Sequence, residues 1–180
     1  METKRCTRCK KEKLVTAFSQ SNPTKKDGYN SWCKQCCYES SRSWVLTPKG
    51  IYSQLKARQT YFKKHNDPRA KPVTISQKDF VSWYEQQDLK CVYCGISEED
   101  FILIKNEYGS RTERLTIDCI DNRIGYAKDN LVLACERCNQ IKSNLLSYDE
   151  MLYVGQNFIK PKWQTLKNGN GNKNLYLTHY

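Results

Sequence analysis

Apolar and polar residues alternate over positions 114–120, Arg-Leu-Thr-Ile-Asp-Cys-Ile, which is the period of a strand with one buried face. A turn-rich stretch at 122–130 follows, then a short apolar run at 131–134, and 136–146 has helical spacing. The pattern predicts strand, loop, strand, helix. Upstream, residues 38–66 read as helical with a break at Thr47-Pro48, because proline fits the first turn of a new helix. Ile51, Leu55, Phe62 and Tyr61 form a partial apolar stripe there. His65 to Pro72 reads as a linker. Ser76 with Asp79 three residues on predicts a capped helix to about residue 87 that buries Phe80, Trp83 and Tyr84. Ser97 before Glu98-Glu99-Asp100 predicts another helix start, with the acids as cap and dipole partners. Tyr108-Gly109-Ser110 breaks the chain, and Ser147 opens a last helix with Met151, Leu152, Val154 and Phe158 on its apolar face. Asn168 to Asn172 reads as a hinge or loop, and 175–180 as an edge strand or a frayed end.

Ten cysteines change this picture. Eight fall in four Cys-x-x-Cys units. Cys6 and Cys9 pair by position with Cys33 and Cys36, and Cys91 and Cys94 with Cys135 and Cys138. A two-residue spacer lets both sulfurs of a unit point at one ion, and two units complete the tetrahedron of a structural zinc site. One redox pair would be ordinary; four arranged two by two favour metal. Cys37 and Cys119 are left over, and Cys37 competes with Cys36 as a ligand, the regular spacing favouring Cys36. The start of the chain has no signal-like apolar run, which leads us to expect an intracellular, cytoplasmic protein of a bacterial or phage-infected cell, with thiols reduced.

Charge divides the chain. Residues 1–80 hold 18 Lys or Arg against 6 acids, whereas 81–147 hold 8 against 11. A cationic segment gains affinity for nucleic acid by counterion release, and a less basic one can gather acidic metal ligands. Residues 1–37 look like a zinc ribbon turning at Asp27-Gly28, with Lys25, Lys26 and Lys34 beside Tyr29 and Trp32. Residues 38–75 are expected to be a basic helical segment and linker facing DNA through Lys56, Arg58 and Lys63, residues 76–160 the chemical domain, and 161–180 a tail.

Asp118 ends the first predicted strand, and Asn139 follows Cys138 in the first turn of the helix, so zinc would fix where Asn139 points. A hard divalent ion such as magnesium takes oxygen ligands, and a carboxylate plus an amide oxygen leaves positions for a phosphate and a water.

Residues 91–147 resemble the HNH endonucleases of the ββα-metal class, on Asp118-Cys119, Asn130 and Cys138-Asn139, with Lys142 behind. The likeness is greater to the PacI-type rare-cutting restriction enzymes. It includes Cys91 to Glu98, Asp118 and Asp121, Gly125-Tyr126, and Cys138 to Asn144, and it extends weakly to the ribbon. The resemblance implies an α+β fold with a zinc-stabilised ββα-metal core, two structural zincs per subunit, double-stranded DNA as substrate and a homodimer. It also implies Asp118 and Asn139 as ligands of a catalytic magnesium or similar ion, and Asn130 as the residue that pins the site loop. Lys142 is counted with the DNA-contacting residues.

One position departs from the family. HNH proteins place a water-deprotonating His after the Asp and the PacI type places Arg, but this chain has Cys119. His65 and His179 are remote from the motif in sequence. The substitutes for the base are Tyr93, Tyr126, Asp121 and Cys119, with Tyr93 ranked first, and Arg123 could supply the lost phosphate-clamping cation. The expected function is site-specific, restriction-type cleavage by metal-assisted attack of water. The alternatives are a two-zinc DNA-binding protein with a decayed site, or a homing or phage nicking enzyme.

Overall fold

The computed structural model describes residues 2–21, 27–104 and 112–167. They form two compact units, 1–51 and 52–180, whose boundary falls within one helix. The expectations for Lys25, Lys26, residues 108–110, the 168–172 hinge, the 175–180 strand and His179 lie outside the described residues.

The first unit is two hairpins and a helix. Strands β1 (Thr3–Arg5) and β2 (Glu12–Leu14) pair antiparallel, with Cys6 and Cys9 in the turn between them. That turn reverses through Lys10 at φ 61° and closes with Lys10 N–H donating to Cys6 O at 2.9 Å. Strand β3 (Phe18–Gln20) pairs with β4 (Tyr29–Cys33), placing Phe18 opposite Cys33. The expected turn is present: Asp27 Oδ1 accepts from Tyr29 N–H at 3.1 Å, and Gly28 takes φ 69°, where a side chain would be strained. Cys33 then begins helix α1 (Lys34–Val45), whose only buried residue is Cys36. The apolar interior is little more than Cys6, Phe18, Cys33 and Cys36, too small to hold a fold without an ion.

Helix α2 (Pro48–Lys64) starts as the sequence predicts, with Thr47 Oγ1 accepting from Gly50 N–H at 3.1 Å and Pro48 in its first turn. Its buried stripe is Ile51, Leu55, Gln59 and Phe62. Tyr61, expected in that stripe, is 59% exposed and stacks on His65 instead, with ring centroids 4.1 Å apart. Gln59 takes its place because its amide oxygen accepts from Lys71 N–H at 2.6 Å, giving a buried polar group its partner. Ser76 caps helix α3 (Gln77–Glu85) by accepting from Asp79 N–H. Phe80 is wholly buried, whereas Trp83 and Tyr84 are only half-buried.

The rest of the second unit is built around strands β5 (Thr116–Cys119) and β6 (Leu131–Ala134), antiparallel, with Asp118 opposite Val132. Helix α4 (Glu98–Ile104) precedes them, and helix α5 (Glu136–Lys142) follows, capped by Cys135. The helix was expected to run to residue 146. It stops at Lys142 because Ser143 turns left-handed, at φ 46°, and its carbonyl accepts from Asn122 Nδ2 at 2.8 Å. Helix α6 (Tyr148–Val154) opens with a full Ser147–Glu150 capping box, passes through a π-helical turn at Gly155–Ile159, and continues as α7 (Lys160–Lys167). Phe158, expected on the apolar face of this segment, is 56% exposed. Among the described residues no helix is long and apolar enough to cross a membrane.

Candidate active site and metal centres

Each set of four cysteines comes together. In both, the four sulfurs lie within 4.8 Å of one another, and all eight residues are buried except the half-buried Cys9. Clustered thiols suited to thiolate ligation and closed off from water are the chemistry of a structural zinc site, so the residues fit the ion. Cys36 joins its cluster, while the Cys37 thiol turns to Trp32 O. The second cluster is braced by α7, whose Trp163 indole N–H donates to Cys94 Sγ at 3.2 Å. Metal analysis of the purified chain is expected to find about two zinc ions. Chelation should then melt the ribbon first, because its interior is the smaller; a chain that keeps its melting temperature without zinc would contradict both assignments.

The Cys135–Cys138 unit opens α5, and α5 carries the polar residues that face β5. Asn139 Nδ2 donates to Thr116 Oγ1 at 2.8 Å. One turn on, Lys142 is wholly buried, its ammonium 2.8 Å from Cys119 O, 3.4 Å from Asp118 Oδ2 and 3.5 Å from Asn122 Oδ1. Lys142 was expected on the DNA surface. Its place is interior, because Asp118 is only 2% exposed and a buried carboxylate needs a counter-charge.

Asp118 has further partners. Its Oδ2 accepts the Tyr93 hydroxyl at 2.8 Å, and its Oδ1 accepts Cys119 N–H at 2.8 Å. Tyr93 lies within the first Cys-x-x-Cys unit of the same four-cysteine cluster that opens α5, so that frame sets both sides of the carboxylate. Asn130 spans the loop after β5: its Oδ1 accepts from Asp121 N–H at 2.9 Å, and its Nδ2 donates to Asp121 O and Gly125 O at 2.9 and 2.6 Å.

The substitutes for the base hold their protons tightly or lack basicity. Burial and the neighbouring Asp118 charge push the Tyr93 phenol well above the ordinary tyrosine range, and burial does the same for Tyr126. Burial pushes the Cys119 thiol up to about 12, Lys71 pulling the other way. Asp121 is held down at about 2 by the Arg123 guanidinium and by Arg123 N–H. Tyr93 is therefore a hydrogen-bond donor to Asp118 in this state.

Of the basic candidates, Lys34, Lys56, Arg58 and Lys63 are exposed. Lys34 Nζ donates to Thr16 O, and the Arg58 guanidinium lies 5.3 Å from the Phe62 ring centre. Arg123, considered as the phosphate clamp, has a side chain 91% exposed and chelated by Asp121. His65 sits at the end of α2 with Nδ1 against Tyr61 O. Three residues of the site were not anticipated: Thr116, Asn122 and Lys71. Lys71 reaches Asn122 Oδ1 at 2.6 Å from 51 residues away, a contact with no local signature.

No protein-family model matches the chain, and no curated protein matches it in sequence. Among solved structures, that of the rare-cutting HNH restriction endonuclease PacI, described for its mechanism of DNA perturbation, is similar at 27% identity over 91% of this chain and 97% of that one, with a TM-score of 0.52. The chain is thus similar to an HNH restriction endonuclease over nearly the whole of both chains, and it carries Asp118, Asn130 and Asn139 on a hairpin and helix framed by a four-cysteine cluster.

Proposed function

We propose that the protein is an HNH endonuclease of the ββα-metal class that hydrolyses phosphodiester bonds of double-stranded DNA at specific sites, in the manner of a restriction enzyme, as a homodimer. The observation that carries this reading is the way α5 faces β5. Two α5 side chains one turn apart, Asn139 and Lys142, engage Thr116 and Asp118, and the helix is opened by a four-cysteine cluster.

The oxygen donors suit a hard ion. Asp118 Oδ1 accepts a single hydrogen bond among the described contacts, and Asn139 uses its nitrogen on Thr116, which leaves its amide oxygen as a donor. Asp118 and Asn139 would hold magnesium or a similar ion, which when bound supplies electrophilic stabilisation of the charge that develops on the phosphate. The protein's own residues do the positioning. Tyr93 and Lys142 hold Asp118 Oδ2, so the carboxylate cannot rotate away, and Asn130 keeps the loop from Asp121 to Gly125 closed beneath it. Lys56, Arg58, Lys63 and Arg123 offer exposed charge for phosphates along the duplex, and Lys34 does so in the ribbon.

The ion pair of Asp118 with Lys142 also favours a second reading, a two-zinc DNA-binding protein whose carboxylate serves structure alone. Incubating the full chain with plasmid and phage DNAs in magnesium and in manganese separates the two. Discrete fragments abolished by EDTA are expected, and their ends give the site and the strands cut. DNA that is bound in every case but never broken would sink the nuclease reading in favour of the binding one.

A further inference from the structure

The position after Asp118 is the neutral Cys119, and Arg123 is turned outward onto Asp121. A second cation does reach the loop after Cys119, at Asn122, and it comes from elsewhere in the chain. Lys71 is half-buried, its ammonium donating to Asn122 Oδ1 at 2.6 Å and lying 5.9 Å from the centre of the Tyr126 ring. The same amide oxygen is 3.5 Å from Lys142 Nζ, so two ammonium groups converge on one neutral acceptor. Lys142 has a carboxylate, Asp118; among the described residues Lys71 has none. A half-buried ammonium without a counter-charge, next to a second one, is a place where an anion gains free energy by binding.

The segment bearing Lys71 is held rather than draped over the surface. Lys71 N–H donates to the buried Gln59, Tyr126 N–H donates to Pro72 O at 2.8 Å, and Thr74 and Ile75 N–H both donate to Tyr126 O. Gly125 takes φ 76°, and a Cβ there would meet Pro72 O at 2.6 Å, so the two backbones pass closer than any side chain would allow. Residues 71–75 are thus fastened to the Gly125–Tyr126 turn of the site loop, and the Lys71 side chain has a fixed base.

We propose that Lys71, held at Asn122, contacts a non-bridging oxygen of the scissile phosphate and supplies the positive charge that the residue at 119 does not. The inference rests on the nuclease reading. In hydrolysis the water oxygen bonds to phosphorus as the bond to the leaving ester oxygen breaks; one water proton is lost to solvent, the leaving oxygen takes up a proton, and a phosphate monoester and a hydroxyl result. Lys71 takes no part in that proton balance. It meets the negative charge that grows on the phosphate oxygens, as a point cation does at other phosphates.

The test is single-turnover cleavage by the full zinc-loaded chain carrying Lys71→Gln, Lys71→Arg or, as a charge-matched control from the site loop to which the Lys71 segment is fastened, Lys128→Gln. Gln keeps a donor for Asn122 and removes the charge. Loss of roughly 100-fold is expected for Lys71→Gln, recovery to within about 10-fold of wild type for Lys71→Arg, and less than about a threefold change for Lys128→Gln. Zinc content and melting temperature are measured on each. A Lys71→Gln protein that cuts within threefold of wild type overturns the proposal, as does an Arg variant as slow as a folded Gln variant. Should Lys71→Gln not fold, the Arg variant decides alone: cleavage within tenfold supports the contact and complete loss refutes it. If wild type cuts nothing, the nuclease reading fails by itself. The salt dependence of duplex binding without magnesium then tests the contact: a log–log slope smaller by about one in a Lys71 variant lacking the charge supports it, and an unchanged slope overturns it.

Discussion

Replacing Asp118 by Ala is expected to lower DNA cleavage at least about 10³-fold, because charge stabilisation by a metal held there is worth several kcal/mol of the barrier. Asn139→Ala is expected to act in the same direction but less strongly, since an amide oxygen is a neutral ligand. Asp118→Asn is nearly isosteric but also strands Lys142, so its zinc content and urea unfolding are measured beside its cleavage rate. An amide there keeps an oxygen for the Tyr93 hydroxyl, which donates to Oδ2 at 2.8 Å, yet loses the charge that attracts a cation. Cleavage by that variant should fall nearly as far as in the Ala variant. Cleavage rates measured over a range of magnesium concentrations decide the matter: a large rise in the concentration needed for half-maximal rate is expected in all three variants, and an unchanged magnesium dependence would show that the ion sits elsewhere.

The largest expected loss of stability is at Lys142. Its ammonium and the Asp118 carboxylate are both almost fully excluded from solvent, so removing one charge strands the other. Breaking such a buried pair costs about 3–5 kcal/mol, whereas replacing both partners by apolar groups of similar volume is often neutral. Lys142→Met should therefore lower the denaturation midpoint strongly, and Asp118→Leu with Lys142→Met should recover much of the loss while leaving no nuclease activity. The comparison is made by urea unfolding with zinc retained. A single Lys142→Met variant as stable as wild type would mean that Asp118 finds another counter-charge. The Lys142 contact with Cys119 O makes the pair cooperative with the fold, because the same ammonium ties α5 to the end of β5.

How much of this was legible beforehand varies from residue to residue. Strand β6 was read over the residues it occupies, since four apolar residues between a turn and a Cys-x-x-Cys unit have few other conformations open to them. The helix starts at Pro48, Ser76 and Ser147 were legible for the same kind of reason: caps are local, set within three or four residues. The end of α5 was not, because it depends on a hydrogen bond from Asn122, 21 residues away. The depth of a side chain was misjudged in both directions. Tyr61 looked apolar and is exposed; Lys142 looked like a surface cation and is buried. Periodicity reports which residues share a face, but what covers that face is decided by the elements that pack on it.

By itself, the sequence determined which atoms could do chemistry: eight thiols in four Cys-x-x-Cys knuckles, the oxygens of Asp118 and Asn130 between the last two, and that of Asn139 just after them. Thiol spacing and motif residues are covalent facts, independent of how the chain closes. The tertiary structure decided what each of those groups is doing. It placed the Tyr93 hydroxyl and the Lys142 ammonium on the Asp118 carboxylate, turned Arg123 outward, and brought Lys71 from an expected linker to Asn122 in the site loop. Those assignments depend on burial and on contacts between residues far apart in the chain. A charged group's role follows from the counter-charge and solvent it meets, and only the closed fold determines either.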